Sequence, residues 1–146
     1  MLKSIIKNKF LFILSILFVL FILIQLVPYG RDHSNPPVVN SVQWDNQKTH
    51  DYFYRACKDC HSNETEWPWY SNIAPISWLV QNDIIEGRRY LNFSDWGKVR
   101  EPYEISQVVR SGWMPPALFT TMHPEARLTQ AEKDALANGI DATIKN

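Results

Sequence analysis

The 146-residue sequence predicts an all-α fold with long ordered loops, preceded by one membrane-spanning helix. Three observations carry that prediction. An apolar run near the N-terminus is long enough to cross a bilayer. Several later segments open on helix-capping residues or a first-turn proline and close on glycine. No segment of useful length alternates apolar and polar residues as a half-buried strand does, and no internal repeat is present.

The first element is the run Phe10–Val27, FLFILSILFVLFILIQLV, interrupted only by Ser15 and Gln25. As a helix it spans about 27 Å at 1.5 Å per residue, close to the thickness of the hydrocarbon core. Lys3, Lys7 and Lys9 precede it with no acidic residue among them. The positive-inside preference therefore puts residues 1–9 in the cytoplasm and everything after the span on the far side of the inner membrane. A cleaved signal peptide shares the basic start and apolar core, but its core is shorter and ends at a small-x-small site that Val27-Pro28-Tyr29-Gly30-Arg31 does not offer. Residues 10–27 are accordingly read as a retained anchor.

Residues 28–44 hold three prolines and no hydrophobic periodicity, the pattern of an extended tether. The remaining stretch, 45–146, is read as one domain. Asp45 is placed to cap a helix from about Asn46 to Cys57, with Tyr52, Phe53 and Ala56 as its apolar stripe. The run 62–76, SNETEWPWYSNIAPI, is aromatic and broken by Pro68 and Pro75, so it reads as an irregular loop packed by its own side chains. Ser77 is placed to cap a helix from Trp78 to Glu86 that stops at Gly87. Pro102 suits the first turn of another, which stops at Gly112. Thr129 and Glu132 form a capping box for a helix from Gln130 to about Ile144, in which Gly139 is expected to let Phe53 or Ala56 approach closely.

Composition excludes several classes. The whole chain balances 15 basic against 15 acidic residues, but the three N-terminal lysines leave 12 against 15 after Val27. A mildly acidic domain without a basic row is a poor nucleic-acid binder. Six Trp, six Tyr and seven Phe exclude a disordered chain, and the length leaves no room for a multidomain enzyme.

The chemistry is concentrated in Cys57-Lys58-Asp59-Cys60-His61, the C-x-x-C-H pentapeptide of c-type haem attachment. Two cysteines three apart at the end of a helix can each add to one vinyl group of the same porphyrin, and the adjacent His61 then offers its imidazole to the iron. Three competing readings are weaker. A thioredoxin-like pair needs a βαβ context, a structural zinc needs about four converging ligands, and a disulfide over this spacing closes too small a loop to restrict the unfolded chain much. A second axial ligand is sought later in the chain, among Met114, Met122, His123, His50 and His33. Met114 is favoured because Pro115 and Pro116 stiffen the backbone directly after it, and a thioether ligand stabilises ferrous iron. His123 is the alternative, which would give a bis-histidine site. Trp67, Trp69, Tyr70 and Trp78 are candidates for the porphyrin wall, Arg88 and Arg89 for its propionates. Asn63-Glu64-Thr65 and Asn92-Phe93-Ser94 match the glycosylation sequon weakly.

With these residues in view, the chain resembles the small haem-binding domain family of c-type cytochrome-like proteins, membrane-anchored exported modules of bacteria. The matching stretches are Ala56 through Tyr70, Ile73 through Trp78, Glu86-Gly87-Arg88, Leu91 through Ser94 and Gly112 through Pro116; His123-Pro124 and the final capped helix also fit, so the similarity covers about residues 28–145. Trp113 departs from the pattern, standing where a smaller or polar residue is expected. The resemblance implies a cytochrome c-like helical domain around one covalent haem c on Cys57 and Cys60, with His61 proximal.

The expected function is that of a membrane-anchored monohaem cytochrome, its iron held by His61 and Met114, passing single electrons to membrane-associated redox proteins in the periplasm. It is expected to be a carrier and not an enzyme. The alternative is a haem peroxidase or ligand sensor with an open distal position, in which His50 or His123 acts as the distal acid/base group.

Overall fold

The computed structural model describes residues 2–97 and 102–145. Among the described residues seven α-helices account for the regular structure: α1 (Leu2–Ile24), α2 (Gln47–Ala56), α3 (Lys58–His61), α4 (Ile76–Tyr90), α5 (Pro102–Arg110), α6 (Ala117–Met122) and α7 (Gln130–Lys145). Short 3₁₀ turns lie at Trp69–Asn72 and Pro124–Ala126. Among the described residues there is no β-strand, only an isolated bridge between Asn40 and Asp95. The all-α class expected from the capping pattern is the one observed.

The chain divides into two compact units. The first runs to His33 and adds Pro68–Asn82; the second holds Ser34–Trp67 and the chain from Asp83 onward. The start of α4 therefore belongs to one unit and its end to the other.

In the first unit, α1 is long and apolar enough to cross a membrane: its window Lys7–Ile24 has a mean hydropathy of 2.2 and no residue buried against protein. The helix starts inside the lysine-bearing stretch and stops three residues short of Val27. Its end unwinds into i→i+3 bonds, from the Gln25, Leu26 and Val27 amides to Ile22, Leu23 and Ile24, before Pro28, which has no N–H to continue the ladder. The carbonyls left over are covered by side chains. Gln25 donates from Nε2 to the Phe21 carbonyl, and Arg31 donates to the Gln25 carbonyl at 2.7 Å. Gln25 also meets the Ala74 peptide twice, donating to its carbonyl at 2.9 Å and accepting its N–H at 3.0 Å.

The second unit is built on α2, α5 and α7. Asn46, not Asp45, caps α2: its side-chain oxygen accepts the Thr49 amide at 3.0 Å, and its backbone is extended as a cap requires. Asp45 is diverted to Thr143, taking that hydroxyl's hydrogen bond at 3.3 Å. The Thr129–Glu132 capping box forms as expected, with the Thr129 amide on Glu132 at 2.7 Å and the Glu132 amide on Thr129 Oγ1 at 3.3 Å. Glu132 also accepts from Arg55 on α2 at 2.7 Å. The residue that packs on Gly139 is Thr49, not Phe53 or Ala56: a Cβ at Gly139 would fall 1.9 Å from Thr49 Oγ1. Phe53, Leu136 and Ile140 are almost wholly buried at the centre of the core.

Helix α4 is longer at both ends than the Ser77 and Gly87 signals indicate. Gly87 lies inside the helix, and the reason is tertiary, as the site shows below. Gly112, by contrast, ends α5 as expected, with a left-handed φ of 80°. Of the extended stretch before α2, residues 34–44 lie along the second unit. The Val39 and Asn40 amides both donate to the Ser94 carbonyl, and the Trp96 amide donates to Asn40.

Candidate functional site

The second unit gathers the C-x-x-C-H residues at the junction of α2 and α3. Cys57 closes α2, its amide donating to the Phe53 carbonyl at 2.8 Å, and simultaneously opens α3. The Cys60 and His61 amides both fold back on the Cys57 carbonyl, at 3.3 and 3.0 Å, so the two sulfurs and the imidazole are carried by a single turn. Both cysteines are free thiols. Burial pushes each thiol up to about 12, Cys57 with help from Cys60 and Cys60 with help from Asp83 and Asp59, so both are protonated at neutral pH.

His61 is the best-determined member. Its Nδ1 lies 3.1 Å from the carbonyl oxygens of both Gly87 and Leu91. Carbonyls only accept, so Nδ1 carries the hydrogen and donates, and Nε2 is the nitrogen with the free lone pair. Burial also lowers the imidazole's pKa, against the opposing pull of the Leu91 and Gly87 carbonyls. A neutral imidazole whose far nitrogen is fixed by backbone acceptors is the form that ligates a metal.

Gly87 and Leu91 were not visible as site residues in the sequence, because they act through their main chains. Gly87 has a second function: a Cβ there would lie 2.4 Å from the Cys60 carbonyl oxygen, so only glycine lets α4 lie against the cysteine turn. The stretch after His61 is fixed in the same way. The Phe93 amide donates to the His61 carbonyl at 2.8 Å, and the Asn63 amide donates to Ser94 Oγ at 3.0 Å. Arg88 donates from Nε to the Ser62 carbonyl and from Nη2 to Thr65 and Asn35, all within 2.9 Å. Its guanidinium thus holds the loop that follows the histidine, while Arg89 pairs with Glu86 on the same helix. The two sequon asparagines bond to the domain: Asn92 donates to Asn63, and Asn63 to the Pro37 carbonyl.

Of the distal candidates, Met114 is half-buried and packs on the same core cluster as Cys57, Leu91 and Phe119. Its amide donates to the Val108 carbonyl at 3.2 Å, and the Met114–Pro115 bond is cis. Met122 is half-exposed. The histidines have other partners. His123 meets Glu125 at 2.9 Å and stacks on Phe119, and His50 meets Asp51 and stacks on Tyr54. His33 is in the first unit, bonded to Ser71.

The aromatic residues expected at the porphyrin wall are divided. Trp69, Tyr70 and Trp78 belong to the first unit, with Trp69 74% exposed; Trp67 belongs to the second. The aromatic stack that borders Cys57 is a different one, Trp44, Phe53, Phe93 and Trp96, with neighbouring ring centroids 4.1–5.1 Å apart. Phe93 was legible as part of Asn92-Phe93-Ser94 and of the matching stretch Leu91 through Ser94, not as a candidate for the porphyrin wall.

Among the described residues no three His, Cys, Asp or Glu side chains converge as a bare metal site requires. A porphyrin needs less from the protein: a nitrogen for the iron and apolar walls for the ring. His61 Nε2 and the half-buried, aromatic-flanked cysteine turn fit that need. The comparison with known families agrees: a family model described as a haem-binding domain matches residues 19–142. No curated protein and no solved structure matches the chain. With that match spanning most of the sequence, the chain belongs to the haem-binding domain family.

Proposed function

We propose that this chain is a membrane-anchored monohaem c-type cytochrome that carries single electrons outside the cytoplasm. The observation that carries the proposal is the turn Cys57–His61, with two free thiols on the same turn as an imidazole whose Nδ1–H is held by the Gly87 and Leu91 carbonyls. Cys57 and Cys60 would hold the haem by thioether bonds, each thiol adding across one vinyl group with its hydrogen passing to the other vinyl carbon, so that neither an oxidant nor a leaving group would be required. His61 Nε2 and the Met114 thioether would hold the iron. The haem, once bound, supplies a ferric/ferrous couple. The Gly87 and Leu91 carbonyls orient the imidazole, and ligation by both His61 and Met114 would leave no open position for peroxide or oxygen, which favours a carrier over an enzyme.

Helix α1 serves as the anchor, with its lysines on the cytoplasmic side and the haem-binding residues in the periplasm, where thioether attachment and membrane-associated redox partners are found. Nothing in the charge balance favours nucleic acid as a partner.

Acid-acetone extraction of the full chain, made in a host competent for cytochrome c maturation, tests the proposal. Haem is expected to stay with the wild-type polypeptide and to leave the Cys57→Ser/Cys60→Ser variant. Extraction of haem from the wild type would refute covalent attachment, and a five-coordinate, high-spin resting spectrum would favour a peroxidase or sensor.

A further inference from the structure

We infer that Trp69, Ile76 and Leu79, in the segment that follows the cysteine turn, lie in the outer interfacial layer of the same bilayer that α1 spans. All belong to the first unit, which also contains α1. The inference rests on the reading of α1 as a retained span.

The geometry begins with Gln25. The apolar window ends at Ile24, and 18 helical residues at 1.5 Å each span about 27 Å, so the Gln25 carboxamide falls at the boundary between hydrocarbon and headgroups. A carboxamide at that depth needs hydrogen-bond partners, and it has them in the Ala74 peptide, the Phe21 carbonyl and the Arg31 guanidinium. The Ala74 backbone is therefore within hydrogen-bond distance of the end of the span. Gly30 holds the same segment close from the other side, since a Cβ there would lie 2.1 Å from the Ser77 carbonyl oxygen. Ser77 Oγ in turn donates to the Tyr29 carbonyl.

The side chains that flank this clamp are unusual for a water-facing surface. Trp69 is 74% exposed, Ile76 42% and Leu79 45%, and at the end of the span Leu26 is 76% and Tyr29 48% exposed. Ile76 and Leu79 are three apart on α4 and share one face. Trp and Tyr are the residues enriched at headgroup depth, and exposed aliphatic side chains that follow a peptide hydrogen-bonded to the end of a span suit the same layer. Continuity with the end of α1 identifies the occupant as lipid, since any surface tied to Gln25 by hydrogen bonds lies at the membrane. Arg31, folded onto Gln25, places its guanidinium at the same level, where a cation with an apolar stem is accommodated.

The test uses the full haem-loaded chain, labelled with 5-fluorotryptophan and inserted into phosphatidylcholine nanodiscs. The Trp69 fluorine resonance is assigned by its loss in Trp69→Phe, an exposed position that tolerates the change. Discs doped with a gadolinium-chelating headgroup lipid are expected to broaden that resonance several-fold more than a soluble gadolinium chelate does. A Trp69 line left sharp by the lipid-borne ion and broadened by the soluble one would overturn the inference while leaving the anchor intact. Failure of the chain to stay with the discs would overturn the span reading, and the inference with it.

Discussion

Gly87 stands so close to Cys60 that a single added methyl group would lie 2.4 Å from the Cys60 carbonyl oxygen and 3.0 Å from its carbonyl carbon. The obstacle is backbone, which cannot rotate away as a side-chain tip can. Alanine inside a helix normally gains about 0.5–1 kcal/mol over glycine. Overpacking against a fixed neighbour costs about 1–3 kcal/mol, and the overpacking wins. Gly87→Ala is therefore expected to lower stability by about 1–2 kcal/mol net. Because Gly87 also holds His61 Nδ1, the change should disturb the iron's spectrum as well as the melting temperature. Unchanged stability and spectrum would show that α4 does not press on the cysteine turn.

A second glycine contact makes a cleaner thermodynamic test. A Cβ at Gly139 meets Thr49 at Oγ1, Cγ2 and Cβ, the nearest at 1.9 Å. Gly139→Ala is expected to cost about 1–3 kcal/mol by forcing α2 and α7 apart. Thr49→Ala removes two of the three clashing atoms, so the double variant should be more stable than the sum of the single changes by about 0.5–3 kcal/mol. Strict additivity in chemical denaturation would place the two residues apart.

The distal ligand separates in the optical spectrum. Met114→Ala is expected to abolish the iron–thioether charge-transfer band and give a high-spin ferrous form that binds carbon monoxide rapidly. His123 already meets Glu125 and Phe119, so His123→Ala should leave the band in place. The opposite pattern would make the site bis-histidine.

Acid sensitivity has a definite window at Glu132. Hydrogen bonds from Arg55 and from the Thr129 amide and hydroxyl hold its carboxyl down at about 2, from an ordinary 4.5. A carboxyl depressed in the folded state contributes stability that is complete above its unfolded value and lost as pH falls through its folded one. The melting temperature is thus expected to fall between about pH 4.5 and pH 2, and Glu132→Gln should flatten that portion of the profile. The variant should also melt lower at neutral pH, having lost the ion pair with Arg55 while its amide oxygen still serves the capping box. Parallel profiles for wild type and variant would show that the carboxylate is not engaged.

Much of this architecture was legible from local chemistry. The Thr129–Glu132 box, the Gly112 stop and the C-x-x-C-H turn each depend on residues within a few positions of one another. What escaped depends on distant neighbours. Gly87 reads as a helix stop until Cys60, far back in the chain, is seen to occupy the space its side chain would fill. Asp45 and Asn46 are equally good caps, and Thr143 decides between them by claiming the aspartate. The acceptors behind His61 are main-chain atoms 26 and 30 residues away, and carbonyls leave no signature in a sequence. Gln25 reads as a flaw in an apolar run because its partner at Ala74 lies 49 residues on.

That last pairing bears on how a water-soluble form should be cut. The Gln25 carboxamide mirrors the Ala74 peptide group for group, as a neighbouring strand would. A protein trimmed after Val27 loses that mirror and the carbonyl on which Arg31 rests, whereas one trimmed before Gln25 keeps both. The useful boundary lies three residues inside the greasy segment, at the amide and not at the proline.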